Sequence, residues 1–426
     1  NMKNRVRQFW DHACKVYHID VFLKRYKDFR CNPKMSSATI IALLILGIAS
    51  RIKSFYQLER MGMNGELAKA IRGEKPSADT IAYSMVNGNV DELKDCNARI
   101  INKARCNKVF QNGTIKGWTV CGIDGTESYL TKTPCKGALG WSIRRRSDGK
   151  DEYYERAVAL SYVGDGPHLL LGIERINPGE GELTVAIRLL REAASRNNRY
   201  SDIICADAYY AVAPFINEVS DQRKHVVIKI KQEDRALVKD MDGLVANREP
   251  DVTLHGVTPK GEKGKDGHGV NYDLKIWDEE NFTSWDKVKA PLRCLKVWET
   301  RIATCRGKVT EETVTEYHIV TTVPKAIMKA DIVWQIMHRR WDIENNIFCD
   351  LKQNWGFRHC YIHDPKAIEV WYTIFCIAIN LMMLFLFRNL KWEKRKGTTT
   401  IEISRQILVS LITLNDPLPI PMSRAG

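Results

Sequence analysis

The stretches WTVCGID (118–124) and SDIICAD (201–207) each run apolar into an aspartate, and their reading decides the fold. Short, β-branched and apolar, they read as strands, the first ending at Asp124 and the second at Asp207. Between them YYERAVALSYV (153–163) reads as a strand, Gly164-Asp165-Gly166-Pro167 as a turn and HLLLGIERI (168–176) as a further strand. Two such runs across a tight turn are a hairpin signal. After the breaker Asn177-Pro178-Gly179, Val185, Leu189, Leu190 and Ala194 recur at helical spacing within Glu182 to Ser195. The order is β-β-β-α-β, with a carboxylate closing the first and fourth strands. That is an α/β chain.

Working outward, VVIKI (226–230) is another strand. Residues 232 to about 312 differ: they are rich in Gly, Lys and Asp around PKGEKGKDGHG (259–269), with strand-like runs at Tyr272–Trp277 and Leu292–Thr300. They read as a β insertion. EYHIVTTV (316–323) returns to the main sheet, and a long helix follows from about Lys329. On a wheel of about 100° per residue, Val333, Met337, Trp341, Ile347, Phe348 and Leu351 share one side, with Glu344 inside that stripe and Arg340 one turn before it. Asp342, Asn346 and Asp350 fall on the other side. A carboxylate on a core face is costly unless it is paired or bound to metal. An Arg340–Glu344 ion pair at i,i+4 would satisfy it by structure alone. Convergence with the two strand-end aspartates would satisfy it by chemistry. Three carboxylates repel unless divalent cations neutralise them, Mg²⁺ prefers oxygen ligands, and two such ions clamp the attacking and leaving oxygens of phosphoryl transfer.

The rest of the chain sets bounds. Lys and Arg number 65 against 51 Asp and Glu, a net +14 that favours polyanion partners. The basic clusters are short: Arg144-Arg145-Arg146, Lys224-His225 and Lys391–Lys396. The arginine triplet precedes the second strand, in a loop, and is either a solvated run or a DNA contact. The 12 cysteines include no CxxC pair, which excludes a zinc ribbon, and Asn1 to Lys15 has no apolar leader, so reduced thiols in the cytoplasm are expected. Val370 to Phe387 is apolar over 18 residues and is expected to be a buried core helix, with no membrane involved. His359, Cys360, His363 and Asp364 read as a polar loop rather than a zinc site, because Gly356 and Asp364-Pro365 interrupt any helix. Residues 1–112 read as helices, with Ser77 an N-cap, and form a packing and dimerisation unit or a DNA-end-binding domain.

The ordered set resembles the DDE transposases of bacterial insertion sequences, in the branch with a β insertion between the second Asp and the Glu. Asp124-Gly125-Thr126 is similar to the family's first motif, Cys205-Ala206-Asp207-Ala208-Tyr209-Tyr210 to its second, and Arg340-Trp341-Asp342-Ile343-Glu344 to its arginine-to-glutamate step. The likeness covers roughly 117–390, and 37–90 more weakly. It departs from the family signature Tyr-x2-Arg-x3-Glu-x6-Lys at two places: Met337 replaces the tyrosine and Leu351 the lysine, with Lys352 next door. The resemblance implies an RNase H-like mixed sheet flanked by helices, with a β-rich insertion and an N-terminal helical domain. The segments are then 1–112, a first core part 113–231, the insertion 232–313, and a second core part with C-terminal helices 314–426. It implies metal-dependent DNA strand cleavage and strand transfer in cut-and-paste transposition. Asp124, Asp207 and Glu344 would be the catalytic residues holding two Mg²⁺ ions, for which Mn²⁺ substitutes. Arg340, Lys352, Arg144, Arg145, Arg146 and Trp298 would touch DNA, Trp298 by stacking, as would Trp277 or Trp285. Partners would be double-stranded DNA at transposon ends and targets and a second copy of the chain, in the nucleoid-bearing cytoplasm of a bacterium. An RNase H-fold nuclease without strand transfer, and a transposase-derived DNA-binding protein without activity, are the alternatives.

Overall fold

The computed structural model describes residues 4–131, 141–231, 235–259, 268–390 and 397–421. The Lys391–Lys396 cluster and most of the glycine-rich run 259–269 lie outside them. Six helices come first: α1 (Arg5–Tyr17), α2 (Ile19–Arg25), α3 (Ser37–Ala49), α4 (Phe55–Met63), α5 (Ala78–Val86) and α6 (Val90–Cys106). Side-chain caps start most of them. Ser36, Ser54 and Ser77 each accept from a backbone N–H three residues on, satisfying a donor that has no partner inside the helix. Every residue of α3 is buried, and the N-terminal helices share one continuous hydrophobic core with the rest of the molecule.

The sheet begins with β1 (Val120–Thr131), β2 (Ser142–Arg145), β3 (Asp151–Tyr162) and β4 (Leu170–Ile176), and α7 (Glu182–Arg196) leads into β5 (Ile203–Ala206). Next come α8 (Ala213–Asp221), β6 (His225–Ile230), α9 (Ala236–Val245), β7 (Val252–Val257), β8 (His268–Phe282), β9 (Leu292–Cys305) and β10 (Lys308–Thr321). The expected hairpin across Gly164–Pro167 is present, with β3 and β4 antiparallel. β1 pairs antiparallel with β3 and parallel with β5, and β5 pairs parallel with β6. This is the mixed α/β sheet expected of an RNase H-like fold.

Two expectations change here. β1 does not stop at Asp124 but runs on to Thr131, because Gly125, Thr126 and Glu127 keep their pairing with β3. The arginine triplet is not all loop: Arg144 and Arg145 lie in β2, opposite Glu152 and Asp151.

The insertion strands join the core sheet. β10 pairs with β6 through His318–Thr321 and with β9 along nearly its whole length, and β8 and β7 follow, giving ten strands in one sheet. One long strand therefore belongs to both the core and the insertion.

The chain closes with α10 (Ala330–Arg339), a π-helical turn Ile343–Phe348, α11 (Cys349–Asn354), α12 (Pro365–Arg388) and α13 (Thr400–Ile412). α12 is long and apolar enough to cross a membrane, but nearly all of it is buried against α3, α5, α6 and β4, as a core helix should be. Its one amide, Asn380, is wholly buried and fully used. Nδ2 donates to Asn97 Oδ1 and to the Leu170 carbonyl, and Oδ1 accepts from Leu170 N. Burying this group without such partners would be costly, so these bonds set the register of α12 on β4 and α6. The cysteines among the described residues form no disulfide with one another.

Candidate active site

Parallel pairing of Gly122 with Cys205 puts Asp124 and Asp207 on neighbouring strands, each two residues beyond that pair. Asp207 follows β5 and starts a 3-10 turn, Ala208–Tyr210, accepting from Tyr209 N at 2.8 Å. Asp124 accepts from Gly125 N at 2.8 Å. Glu344 comes from the π-helical turn, whose Ile343 packs over Gly122 on the same face of β1 as Asp124.

The wheel drawn from the sequence holds for Val333, Met337, Ile347, Phe348 and Leu351, which are buried, and fails between Trp341 and Glu344. α10 ends at Arg339 and the chain turns through Arg340 and Trp341 before the π turn, so a uniform period of about 3.6 residues is interrupted there. Trp341, read as core, is 58% exposed, and Asp342, read as solvent-facing, is 7% exposed. Asp342 accepts from Arg339 Nε, Gly164 N and Asn346 Nδ2 and so ties the turn to the β3–β4 hairpin. The Glu344 side chain is 46% exposed rather than buried in the stripe.

Arg340 lies between the carboxylates. Its Nη1 is 2.5 Å from Glu344 Oε1 and 3.8 Å from Asp124 Oδ2, and its side chain is nearly buried. The i,i+4 ion pair weighed from the sequence is therefore present. It does not satisfy Asp124, whose carboxyl is pushed up to about 7. Burial is the main cause and the charge of Glu344 adds to it; Arg340 opposes, Asp207 raises it further, and Gly125 N–H opposes. The site is thus short of positive charge and offers only hard oxygen donors, a set that fits Mg²⁺ or Mn²⁺. Among the described residues no three His, Cys, Asp or Glu side chains stand close enough to share a metal ion. A guanidinium fills the space between two of these carboxylates.

A cleft of about 870 Å³ opens beside the carboxylates, and its lining includes Asp207, Arg340 and Glu344 together with Lys229, Arg301 and Tyr317. Lys352 is half-buried close by. Burial and Arg358 lower its pKa, while Glu127 and Asp124 raise it. It is thus the cation within electrostatic reach of Asp124 in the segment where the family lysine is missing. Trp298 is exposed but does not line the cleft; it alternates with Glu299 and Arg301 onto the other face of β9. Trp277 donates to the Arg248 carbonyl and Trp285 lies under Arg235, so both are engaged within the insertion. Arg144 is committed to Glu127 and Glu152, Arg146 approaches Asp148, and Arg145 is exposed. His363 stacks on Trp141 and Asp364 caps α12, a structural use of that polar loop.

Sequence reasoning passed over two acidic residues beside this site. Glu299 is buried on β9, and its Oε2 accepts from Tyr317 Oη, Trp334 Nε1 and His338 Nε2, each at 2.7 Å. Glu182, in the first turn of α7, lies under Gly125 and accepts from Tyr210 Oη and Arg156 Nη2. The Asp207 motif contains Tyr210, but only tertiary packing tells what the phenol touches.

A family model described as the transposase DDE domain matches residues 119–381. No curated protein matches the chain.

Proposed function

The chain belongs to the transposase DDE domain family, and on that premise we propose that Asp124, Asp207 and Glu344 form the cutting and joining site of a cut-and-paste element. Membership makes the chain a transposase that acts on DNA, in a family that generally uses divalent metal ions. The observation that carries the finer reading is that Asp124 of β1 and Glu344 of the π turn meet on one guanidinium, with Asp207 at the end of β5 near enough to raise the pKa of Asp124.

The three carboxylates would hold two Mg²⁺ ions, with Mn²⁺ able to substitute. When bound, such ions supply charge neutralisation at the scissile phosphate and activate the attacking oxygen. Asp124 must give up its proton to serve, so loading the site is a competition between proton and cation. Glu344 is half-exposed and can turn from Arg340 toward the aspartates without leaving solvent. Arg340, released from it, keeps Asp124 as a partner and can take a phosphate oxygen of DNA. Lys229, Lys231 and Arg301 line the cleft and would follow the backbone of the bound strand. Lys352 stands in for the family lysine. Arg145, and less so Arg144 and Arg146, would touch DNA outside the cleft, as would the exposed Trp298.

Residues 1–112 would bind the element's ends or pair two copies of the chain, and a homodimer on paired ends is the working unit. The core parts 113–231 and 314–426 then carry the chemistry, with 232–313 as the inserted β unit. The decisive experiment is a gel of purified protein with its own flanking DNA in Mg²⁺, followed by pre-cleaved ends and a target. Nicks followed by joined products are expected. Nicks with no joining under any condition would make the protein a nuclease. No cleavage at all would leave a DNA-binding protein.

A further inference from the structure

Gly125 directly follows Asp124, and a Cβ placed on it would overlap the carboxylate of Glu182. By strand alternation that carboxylate lies on the face of β1 opposite to Asp124. Glu182 is mostly buried at the start of α7, where the helix dipole favours a negative charge. Two donors hold it: Tyr210 Oη at 2.9 Å and Arg156 Nη2 at 2.7 Å. Tyr210 is fully buried and is the last residue of the 3-10 turn that Asp207 caps. Arg156 is on β3, whose Ala157 pairs with Thr126 of β1. A single carboxylate thus reaches the backbone beside Asp124, the turn that carries Asp207, and the neighbouring strand.

We infer that Glu182, through Tyr210, is a positioning residue that holds the backbones of Asp124 and Asp207 at the separation a shared cation requires. This rests on the triad reading above and adds a part to it. Glu182 is not itself a ligand, since it faces the other side of the strand. Its effect is to remove slack. The Asp207 turn hangs from the sheet by a short 3-10 segment, and the Tyr210 hydroxyl fastens the far end of that segment to α7. Partners of this kind, one bond removed from the ligands, typically change metal affinity by about 10–100-fold when lost. The same geometry accounts for glycine at 125: any side chain there would displace Glu182 and carry β1 away from α7.

The test is Mn²⁺ binding to the purified full chain, read from the loss of the free-ion electron paramagnetic resonance signal, so that no cleavage is needed. Tyr210→Phe deletes one hydroxyl and keeps the ring. It is expected to weaken Mn²⁺ binding about tenfold or more, with the melting temperature and DNA-end binding unchanged. Glu182→Ala should do the same, and Glu182→Gln, which retains an oxygen for Tyr210, should recover most of the affinity. Asp207→Asn is the control for the underlying reading. If Asp207→Asn weakens Mn²⁺ binding and Tyr210→Phe does not, the positioning role is wrong and the triad stands. If Asp207→Asn binds Mn²⁺ like the unmodified chain, the triad reading fails and the positioning role with it. Should Glu182→Ala fail to fold, Tyr210→Phe alone decides.

Discussion

Two carboxylates on one sheet, both largely removed from solvent, are treated in opposite ways. In the insertion half, Glu299 receives three donors on one oxygen, from strand β10 and from two positions of α10. Burial alone would raise its pKa, but His338 above all, with Trp334 and Tyr317, more than offsets that and holds it below the ordinary carboxylate value. In the core half, Asp124 has one backbone donor, a guanidinium at 3.8 Å and two carboxylate neighbours, and its pKa rises to about 7. A carboxylate that serves structure is given every partner it can use. One left short of donors is poised for a cation that folding itself does not supply.

The comparison breaks most sharply at the triad. Asp124→Asn, Asp207→Asn and Glu344→Gln should each abolish Mg²⁺-dependent strand cleavage while DNA-end binding stays nearly intact. Each keeps its shape and removes one charge from a site that needs several. The melting temperature should hold or rise, since like charges are relieved. For Glu344→Gln the lost pair is half-exposed and worth about 0–1 kcal/mol, and Arg340 keeps Asp124. A large loss of stability with residual metal-dependent cleavage in that variant would make the glutamate a mere partner of Arg340.

Glu299 should behave the other way round. Glu299→Ala leaves Tyr317, Trp334 and His338 without their shared acceptor and should cost about 3–5 kcal/mol, measured by denaturant unfolding. A stable Glu299→Ala protein would show that α10 is held to the insertion by apolar packing alone.

The pH dependence sharpens the contrast, because the two linkages have opposite sign. Between the unfolded aspartate value near 4 and about 7, native Asp124 keeps a proton that the unfolded chain has lost. Its contribution is therefore fully present below about 4 and is lost as pH rises through about 7. Glu299 is depressed, so its contribution is present above the unfolded glutamate value near 4.3 and is lost as pH falls through its lower folded value. In a chelator, Asp124→Asn should flatten the decline between about pH 4 and 7, and saturating Mg²⁺ should flatten it in the unmodified chain. If neither changes the slope, Asp124 is ionised throughout and does not compete for a cation.

The smallest effect belongs to the arginine triplet. Arg145→Ala should reduce the salt slope of DNA binding by roughly one unit, and Arg144→Ala by less, because Arg144 already pairs with Glu127 and Glu152. Equal slopes for both variants and the unmodified chain would place β2 away from DNA.

Much of this molecule was legible before folding. Short apolar, β-branched runs marked β1, β3, β4, β5, β6 and β10, a glycine-proline turn marked the hairpin, helical spacing marked α7 and an unbroken apolar run marked α12, since these signals are local. Both aspartates and the glutamate could be picked out because each interrupts an apolar pattern at a definite place. What the chain does next depends on neighbours far away in sequence. Asp342, just before the π turn at Ile343–Phe348, is tied to Gly164 and Arg339, and no wheel with a fixed period contains that constraint. The merging of the insertion with the core sheet depends on β10 being long enough to pair with β6 at one end and with β9 beyond it. Glu182 reads as an ordinary first-turn acid until α7 is laid on β1 and Gly125 admits its carboxylate. Sequence determined which groups carry charge and in what order. Tertiary structure decided which of those charges are satisfied, because satisfaction is a matter of distance between segments and not of their composition.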